Sequence, residues 1–140
     1  MTKFLGVDYG LKRIGLSITD EENIFAFPLT TVKSENIFTY LKDLFVKEKV
    51  SRVIIGHPKR FSGVDSEIES SIKIFIEKLK VKFPNLEVER YDERFTSKLA
   101  LRAIVSSGMG KKKRADKSLI DKVSATIILQ DYLTYNKSSL

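Results

Sequence analysis

The sequence predicts an α/β fold: a mixed five-stranded sheet whose first three strands are antiparallel, followed by alternating helices and strands, with helices on both faces. Two observations predict it. Residues 4–32 contain three short strand-like segments separated by polar turns, the first two with apolar residues at alternate positions, which is typical of an antiparallel meander. From residue 35 onwards, segments with helical apolar spacing alternate with short apolar runs, which is typical of helices packed on parallel strands.

The first three strands are predicted from alternation and turn residues. Apolar residues alternate with small or polar ones from Phe4 to Asp8 and again from Ile14 to Thr19. The glycine-containing turn between them indicates a β-hairpin. A third strand is predicted from Ile24 to Val32, and Pro28 indicates that it lies at the sheet edge, because proline cannot donate a backbone hydrogen bond.

The remaining elements follow from helical spacing and short apolar runs. Helices are predicted over residues 35–49, 66–83, 96–107 and 118–135, and strands over residues 52–56 and 86–91. The run Arg52–Gly56 is short and apolar, as expected of a central strand buried on both faces. Ser66 and Glu69 have the spacing of a capping box. In the last helix, Asp121 shares a mostly apolar face with Ala125, which we expect to pack on the sheet.

Length and composition limit the class of protein. A chain of 140 residues is long enough for one domain with a substantial core, and we expect a single domain over residues 1–140. The absence of cysteine excludes disulfides and thiolate metal sites. No apolar run is long enough to span a membrane and no signal peptide precedes the first strand, so we expect a cytoplasmic protein with no membrane partner.

Asp8 lies in a strand, where a charge needs a partner or a function. Its face also carries Gly6, and the second strand offers Gly15 and Ser17, small residues that let a ligand or another element come close. For an isolated D-x-G, stabilisation of the turn by Asp8 is the favoured interpretation. The spacing G-x-D-x-G-x-x-x-x-G is more specific, since it resembles sites of ribonuclease H type nucleases and of actin-like ATPases, which handle phosphate with a divalent metal.

Further carboxylates complete a candidate metal site. Asp92 and Glu93 close the fifth strand, at a sheet end where α/β proteins bind ligands. Asp121 either caps the last helix or points into a site, and the sequence leaves both open. With Asp8, these carboxylates could hold two Mg²⁺ or Mn²⁺ ions for phosphodiester hydrolysis. The single histidine, His57, is interpreted as a structural residue at a strand end rather than a proton-transfer group.

The net charge of +7 is concentrated in one segment. Four consecutive basic residues occur at Lys111, Lys112, Lys113 and Arg114. Without them the chain has 21 basic and 18 acidic residues, a net charge of +3. A localised basic patch indicates a polyanionic partner such as nucleic acid. A solvated loop with no partner explains a four-residue run equally well.

Four motifs in order resemble the YqgF family, also called RuvX, which has the RNase H-like fold of the RuvC resolvases. They are GVDYGLKRIG at residues 6–15, IIGHP at residues 54–58, YDERFTS at residues 91–97 and KSLIDKVSATIILQ at residues 117–130. The resemblance covers nearly the whole chain. The sequence differs from the usual family pattern at His57, at Lys59–Gly63 and at Ser124. The segment Lys59–Gly63 is a predicted loop, and its difference from the family puts substrate contacts there in question.

The resemblance implies site residues. By motif, it identifies Asp8, Glu93 and Asp121 as catalytic metal ligands. Asp92 remains a rival of Glu93, because neighbouring residues at a strand end can turn either way. The resemblance also suggests three phosphate contacts in addition to the basic run, namely Lys12, Arg13 and Arg94.

The resemblance further implies a metal-dependent endonuclease that matures the 5′ end of the 16S ribosomal RNA precursor. RNA, in ribosomal precursor particles, is then preferred to DNA as the partner. Cleavage of four-way DNA junctions is the alternative enzyme function, and its two symmetric cuts would need a dimer rather than a monomer. A non-catalytic RNA- or ribosome-binding module is the other alternative. An actin-like ATPase needs two lobes, for which 140 residues are too few.

Overall fold

The computed structural model describes residues 2–57, 67–92 and 117–136. Within these ranges the strands are β1 (Lys3–Asp8), β2 (Arg13–Thr19), β3 (Ala26–Lys33), β4 (Val50–His57) and β5 (Glu87–Asp92). The helices are α1 (Ile37–Lys47), α2 (Glu67–Lys82) and α3 (Lys117–Asn136). No helix in these ranges has the length and apolar character that crossing a membrane requires.

The five strands form one sheet in the order β3-β2-β1-β4-β5. β1 pairs antiparallel with β2, and β2 pairs antiparallel with β3. β4 lies parallel to both β1 and β5. The predicted mixed sheet is therefore confirmed, with β3 at the edge and β4 in the interior. Pro28 lies on the edge strand opposite Ser17, beside an irregularity in the register between Leu16 and Ser17.

Helices cover both faces of the sheet, as predicted. One face packs on α1 and α2 through residues at alternate strand positions. This core contains Leu5, Val7, Ile14, Leu16, Val53 and Ile55 from the strands and Ile37, Leu41, Leu44, Ile72, Phe75 and Leu79 from the helices. The other face packs on α3 and contains Ile54, Tyr91, Ile128, Leu129, Tyr132 and Leu133. Alternation along each strand decides which face a side chain joins.

Small residues let α3 lie very close to the sheet. A Cβ atom added to Gly15 would lie 2.0 Å from the backbone oxygen of Asp121, and one added to Gly6 would lie 2.9 Å from that of Ala125. The Ser17 hydroxyl donates a 2.7 Å hydrogen bond to the Ala125 carbonyl. The small residues singled out in the sequence therefore admit another element of the same chain, the helix α3.

The second half of α3 is held by a polar cluster on β4 and β5. Arg52 donates from Nη1 to the Tyr132 hydroxyl at 2.9 Å and from Nη2 to Glu87 at 2.8 Å. Its guanidinium lies 4.9 Å from the centre of the Phe4 ring. The Tyr132 hydroxyl also hydrogen-bonds Glu89. These contacts fix how α3 is rotated about its axis, and so which of its residues face the strand ends.

Several elements differ from prediction at their boundaries. A 3₁₀ turn over Ser34–Asn36 precedes α1, and the helix ends at Lys47 because Glu48 is extended. The third strand begins at Ala26 because Asp20 holds the two preceding residues in a turn, accepting from the backbone N–H of Ile24 at 2.8 Å. The helix predicted over residues 96–107 lies outside the described residues.

Candidate functional site

Asp8 is the last residue of β1 and is partly buried. It pairs with Gly15 across the β1–β2 ladder. Alternation places Asp8 on the same face as Gly6, which is the face that α3 covers. The next residue points the other way, since the ring of Tyr9 packs 5.1 Å from that of Phe75 in α2. Asp8 is therefore at the carboxyl end of β1, on the α3 face.

Asp121 reaches the same place from the other end of the chain. Its backbone oxygen lies directly over Gly15, so close that a Cβ atom there would clash with it. Because Gly15 is the cross-strand neighbour of Asp8, both carboxylates occupy one face and one end of the sheet. The Asp121 carboxylate accepts a hydrogen bond from Arg13 on β2, so in the described part of the chain it contacts the sheet and not its own helix.

Two of the predicted phosphate contacts, Arg13 and Lys12, are adjacent at the start of β2, and Arg13 contacts Asp121. Arg13 Nε donates to Asp121 Oδ2 at 3.0 Å, and its side chain is 38% exposed. Lys12 is exposed in the turn before β2. The 3₁₀ turn that precedes α1 holds this segment, since Ser34 N–H donates to the Lys12 carbonyl at 2.9 Å and its hydroxyl donates to the Gly10 carbonyl at 2.7 Å.

Asp92, the rival of Glu93, lies on the opposite face. It ends β5 and is the register partner of His57 on β4. Two residues earlier, Arg90 binds Glu69 of α2, so residues 90 and 92 both face α2 and not α3. Asp92 is thus separated by the sheet from Asp8 and Asp121. The other predicted site residues lie outside the described residues: Glu93, Arg94, Lys111, Lys112, Lys113 and Arg114.

A buried ionic cluster at this end of the sheet was not predicted. Glu69, whose side chain is 5% exposed, accepts from Arg90 Nη1 at 2.7 Å and Nη2 at 3.2 Å. Arg90 Nη2 also donates to the Gly56 carbonyl at 3.1 Å, and His57 Nε2 lies 3.4 Å from Glu69 Oε2. The hydrogen bond from Arg90 lowers the pKa of Glu69. The cluster joins the ends of β4 and β5 to α2.

The sequence did carry a signal for this cluster. Glu69 lies three residues before Ile72, on the apolar face of α2, where a charge is unexpected unless it is paired. The interpretation of Glu69 as the glutamate of a capping box did not take account of its place on the apolar face of α2. The contact between His57 and Glu69 fits the interpretation of His57 as a structural residue.

The donor set is suited to a hard divalent cation. Asp8 and Asp121 provide carboxylate oxygens, the ligands that Mg²⁺ and Mn²⁺ prefer. Within residues 2–57, 67–92 and 117–136, no group of three or more histidine, cysteine, aspartate or glutamate side chains could hold a metal ion. The described residues provide two candidate carboxylate ligands on the α3 face, Asp8 and Asp121.

Comparisons with known proteins agree with this architecture. The family described as "RuvX: Holliday junction resolvase" matches residues 2–135. A "Putative pre-16S rRNA nuclease" of Flavobacterium psychrophilum is 50% identical over 134 residues, which are 96% of this chain and 98% of that protein. A protein with the same name from Bacteroides fragilis is 42% identical over 133 residues, 95% of this chain and 96% of that protein.

Solved structures show the same fold at low sequence identity. RuvC of T. thermophilus in complex with a Holliday junction substrate has a TM-score of 0.64 at 16% identity, with 99% of this chain and 96% of that chain covered. The fowlpox virus Holliday junction resolvase has a TM-score of 0.58 at 17% identity, with 99% and 100% covered. The fold is therefore RNase H-like, and the family match over nearly the whole sequence decides the relationship: the chain belongs to the RuvX family.

Proposed function

We propose that this chain is a metal-dependent endonuclease acting on structured nucleic acid, and that it processes the 5′ end of the 16S ribosomal RNA precursor. One observation carries the proposal. Asp8 and Asp121, from opposite ends of the chain, lie on one face at one end of the sheet, with a cationic side chain beside them. Carboxylates for metal ions next to a cation for phosphate are what phosphodiester hydrolysis needs.

Asp8, Asp121 and Glu93 would hold two Mg²⁺ or Mn²⁺ ions. When bound, the two ions would activate the attacking water and stabilise the leaving oxygen. The choice of Glu93 over Asp92 rests on alternation and on the sequence motif. Since Asp92 faces α2, it is on the wrong side of the sheet to join Asp8 and Asp121, and we assign the third carboxylate to Glu93 on the grounds of the sequence motif.

The basic side chains would bind and orient the substrate backbone. Arg13 on β2 contacts Asp121, and Lys12 is exposed in the turn immediately before it, so both could contact the phosphates flanking the scissile bond. We include Arg94 and the basic run Lys111–Arg114 among the substrate-binding residues on the grounds of sequence alone. Holding the phosphate in line with the attacking water is the contribution that such contacts make to rate.

The names of the curated relatives favour RNA as the substrate. A precursor of ribosomal RNA would be met in the cytoplasm, in naked form or within a ribosomal precursor particle. Cleavage of four-way DNA junctions is the second candidate, because two solved structures with this fold are Holliday junction resolvases. Two symmetric cuts would require two copies of the chain, so a dimer would favour the DNA function and a monomer the RNA function.

Cleavage assays test the proposal directly. A labelled pre-16S 5′ leader RNA and a synthetic four-way DNA junction are incubated with Mg²⁺, Mn²⁺ or EDTA. The wild type, Asp8→Asn and Asp121→Asn are compared with Asp43→Asn, an exposed position on α1. We expect metal-dependent cutting of the RNA that both site variants lose and Asp43→Asn retains. Tight binding without cutting of either substrate, in the wild type and all variants alike, would instead establish a non-catalytic binding module.

A further inference from the structure

The ion pair between Arg13 and Asp121 uses only part of each group. Arg13 donates from Nε to a single carboxylate oxygen, Oδ2, at 3.0 Å. In the part of the chain that the structure describes, this is the one side-chain hydrogen bond that either residue makes. A guanidinium has five N–H donors and a carboxylate has two oxygens, so both groups keep capacity for further partners.

The two residues are held by different elements. Arg13 is the first residue of β2 and pairs with Lys33 in the β2–β3 ladder. Asp121 lies on α3 where the helix backbone touches Gly15, two residues after Arg13. The backbone positions of both residues are therefore fixed by close packing. The hydrogen bond then restricts the side-chain rotation of Asp121.

We propose that Arg13 is a positioning residue for the cation site: its Nε orients the Asp121 carboxylate toward a divalent cation, while its Nη groups remain available to a substrate phosphate. The inference rests on the proposed function and deepens it, because one guanidinium would then link cation binding to substrate binding. Carboxylates that bind metals are usually held by a hydrogen bond from a second residue, and loss of that residue weakens metal binding. The planar fork of arginine allows two partners at once.

This role predicts an effect opposite to that of simple electrostatics. If Arg13 acted only as a positive charge, or competed with the cation for Asp121, its removal would strengthen cation binding. If Arg13 orients Asp121, its removal weakens cation binding even though a repelling charge has gone. The sign of the change in cation affinity therefore discriminates between these roles without any measurement of catalysis.

The experiment is a titration of the full chain with Mn²⁺ in the absence of nucleic acid, followed by electron paramagnetic resonance of free Mn²⁺. The wild type is compared with Arg13→Gln and with Lys33→Gln, which removes the same charge from the exposed cross-strand neighbour of Arg13. We expect the dissociation constant for Mn²⁺ to rise about tenfold or more in Arg13→Gln. In Lys33→Gln it should stay the same or fall.

A second variant separates the two contacts of the guanidinium. Arg13→Lys keeps the charge and one donor but loses the fork. We expect it to bind Mn²⁺ nearly as the wild type does, and to bind the pre-16S leader RNA more weakly in Ca²⁺ or EDTA. Wild-type RNA affinity in Arg13→Lys would overturn the proposed link to the substrate. Circular dichroism of each variant establishes that the fold is retained, and Arg13→Ala replaces Arg13→Gln in the Mn²⁺ titration if Arg13→Gln does not fold.

The outcomes also separate this inference from the proposed function. Unchanged or tighter Mn²⁺ binding in Arg13→Gln, with a wild type that binds Mn²⁺ and cleaves, would overturn the positioning role and leave the nuclease standing. A wild type that binds no Mn²⁺ and cleaves nothing would overturn both.

Discussion

At the scale of single residues, the face on which a side chain lies decides its function. Asp92 and Glu93 are equivalent candidates by sequence, since both are acidic and both follow a strand. The structure describes only Asp92, and alternation along β5 places it on the α2 face, since Arg90, two residues earlier, is bound to Glu69 of α2. The sheet lies between Asp92 and the pair formed by Asp8 and Asp121, so Asp92 cannot readily share a metal ion with them.

The neighbouring acidic residues give a matched pair of variants. We expect Glu93→Gln to lower the rate of metal-dependent cleavage by more than about 100-fold. This is a larger loss than is usual for a residue that only hydrogen-bonds a metal ligand. Asp92→Asn should lower it only slightly, because its side chain faces α2. The measurement is the single-turnover cleavage rate of the RNA substrate for both variants. A large loss in Asp92→Asn with a near-normal Glu93→Gln would reverse the assignment.

The buried carboxylate Glu69 makes a second residue-scale prediction, about pH. Arg90 lowers its pKa from the ordinary value of 4.5, so the folded state favours the ionised form more than the unfolded state does. A lowered folded pKa contributes stability that is complete above the unfolded pKa and is lost as the pH falls through the folded one. Urea unfolding between about pH 5 and pH 3 should therefore show a steeper loss of stability in the wild type than in Glu69→Gln.

The control for the pH prediction is Glu77→Gln, an exposed position on the same helix. Glu77→Gln should lose unfolding free energy with falling pH as steeply as the wild type does. Arg90→Ala should cost about 3 kcal/mol of unfolding free energy at neutral pH, because it leaves the Glu69 carboxylate buried without its main partner. If the unfolding free energy of the wild type and that of Glu69→Gln depended on pH in the same way, ionisation of Glu69 would contribute nothing to stability.

At the scale of elements, the site depends on how closely α3 approaches the hairpin of β1 and β2. The contact is backbone against backbone at Gly15, so an added methyl group cannot be accommodated by a side-chain rotation. The helix would have to move, and Asp121 would move with it. The backbone contact at Gly15 therefore sets the distance between Asp121 and Asp8.

Gly15→Ala tests this dependence. We expect a loss of about 3 kcal/mol in unfolding free energy from overpacking, together with weaker Mn²⁺ binding. Ser17→Ala is the comparison, since it removes the hydrogen bond to Ala125 but adds no atom. It should cost about 1 kcal/mol and leave Mn²⁺ affinity close to that of the wild type. Normal Mn²⁺ binding in Gly15→Ala would show that the position of α3 does not control the site.

Much of this architecture was predictable, for identifiable reasons. The antiparallel hairpin of β1 and β2 followed from period-two alternation up to Thr19, and the edge position of β3 followed from Pro28, both of which are local signals. The packing of α3 followed from the spacing between Asp121 and Ala125. The cluster around Glu69 was missed because Glu69 lies on α2 and its partner Arg90 lies on β5, and no local sequence pattern pairs the two residues. The start of β3 was misjudged because the Asp20 side chain holds Ile24 and Phe25 in a turn.

At the scale of the whole molecule, the distribution of charge governs how nucleic acid is bound. The net charge is +7, and the run from Lys111 to Arg114 accounts for more than half of it. If these four residues bind phosphates, each of them releases condensed counterions when the substrate binds. The affinity then depends steeply on salt, which is a property of phosphate neutralisation and not of the catalytic chemistry.

Replacement of Lys111, Lys112, Lys113 and Arg114 by alanine should weaken RNA binding and flatten its salt dependence. Because four phosphates would no longer be neutralised, the slope of log K against log salt should fall in magnitude by up to about 3. Fluorescence anisotropy with the labelled leader RNA in Ca²⁺ or EDTA, over a range of KCl concentrations, measures it. The single-turnover cleavage rate at saturating enzyme should change little, because the carboxylate site is untouched.

A control with the same net charge makes this a test of position and not of total charge. Lys47, Lys49, Lys78 and Lys80 are exposed near the carboxyl ends of α1 and α2, and their replacement by alanine also reduces the net charge to +3. Because the carboxylate pair lies at the carboxyl end of β1, where α1 begins, these lysines lie toward the other end of the sheet. We expect this variant to keep most of the salt slope. Equal flattening in both variants would mean that RNA responds to the overall charge, and the basic run would then lose its assignment as a binding segment.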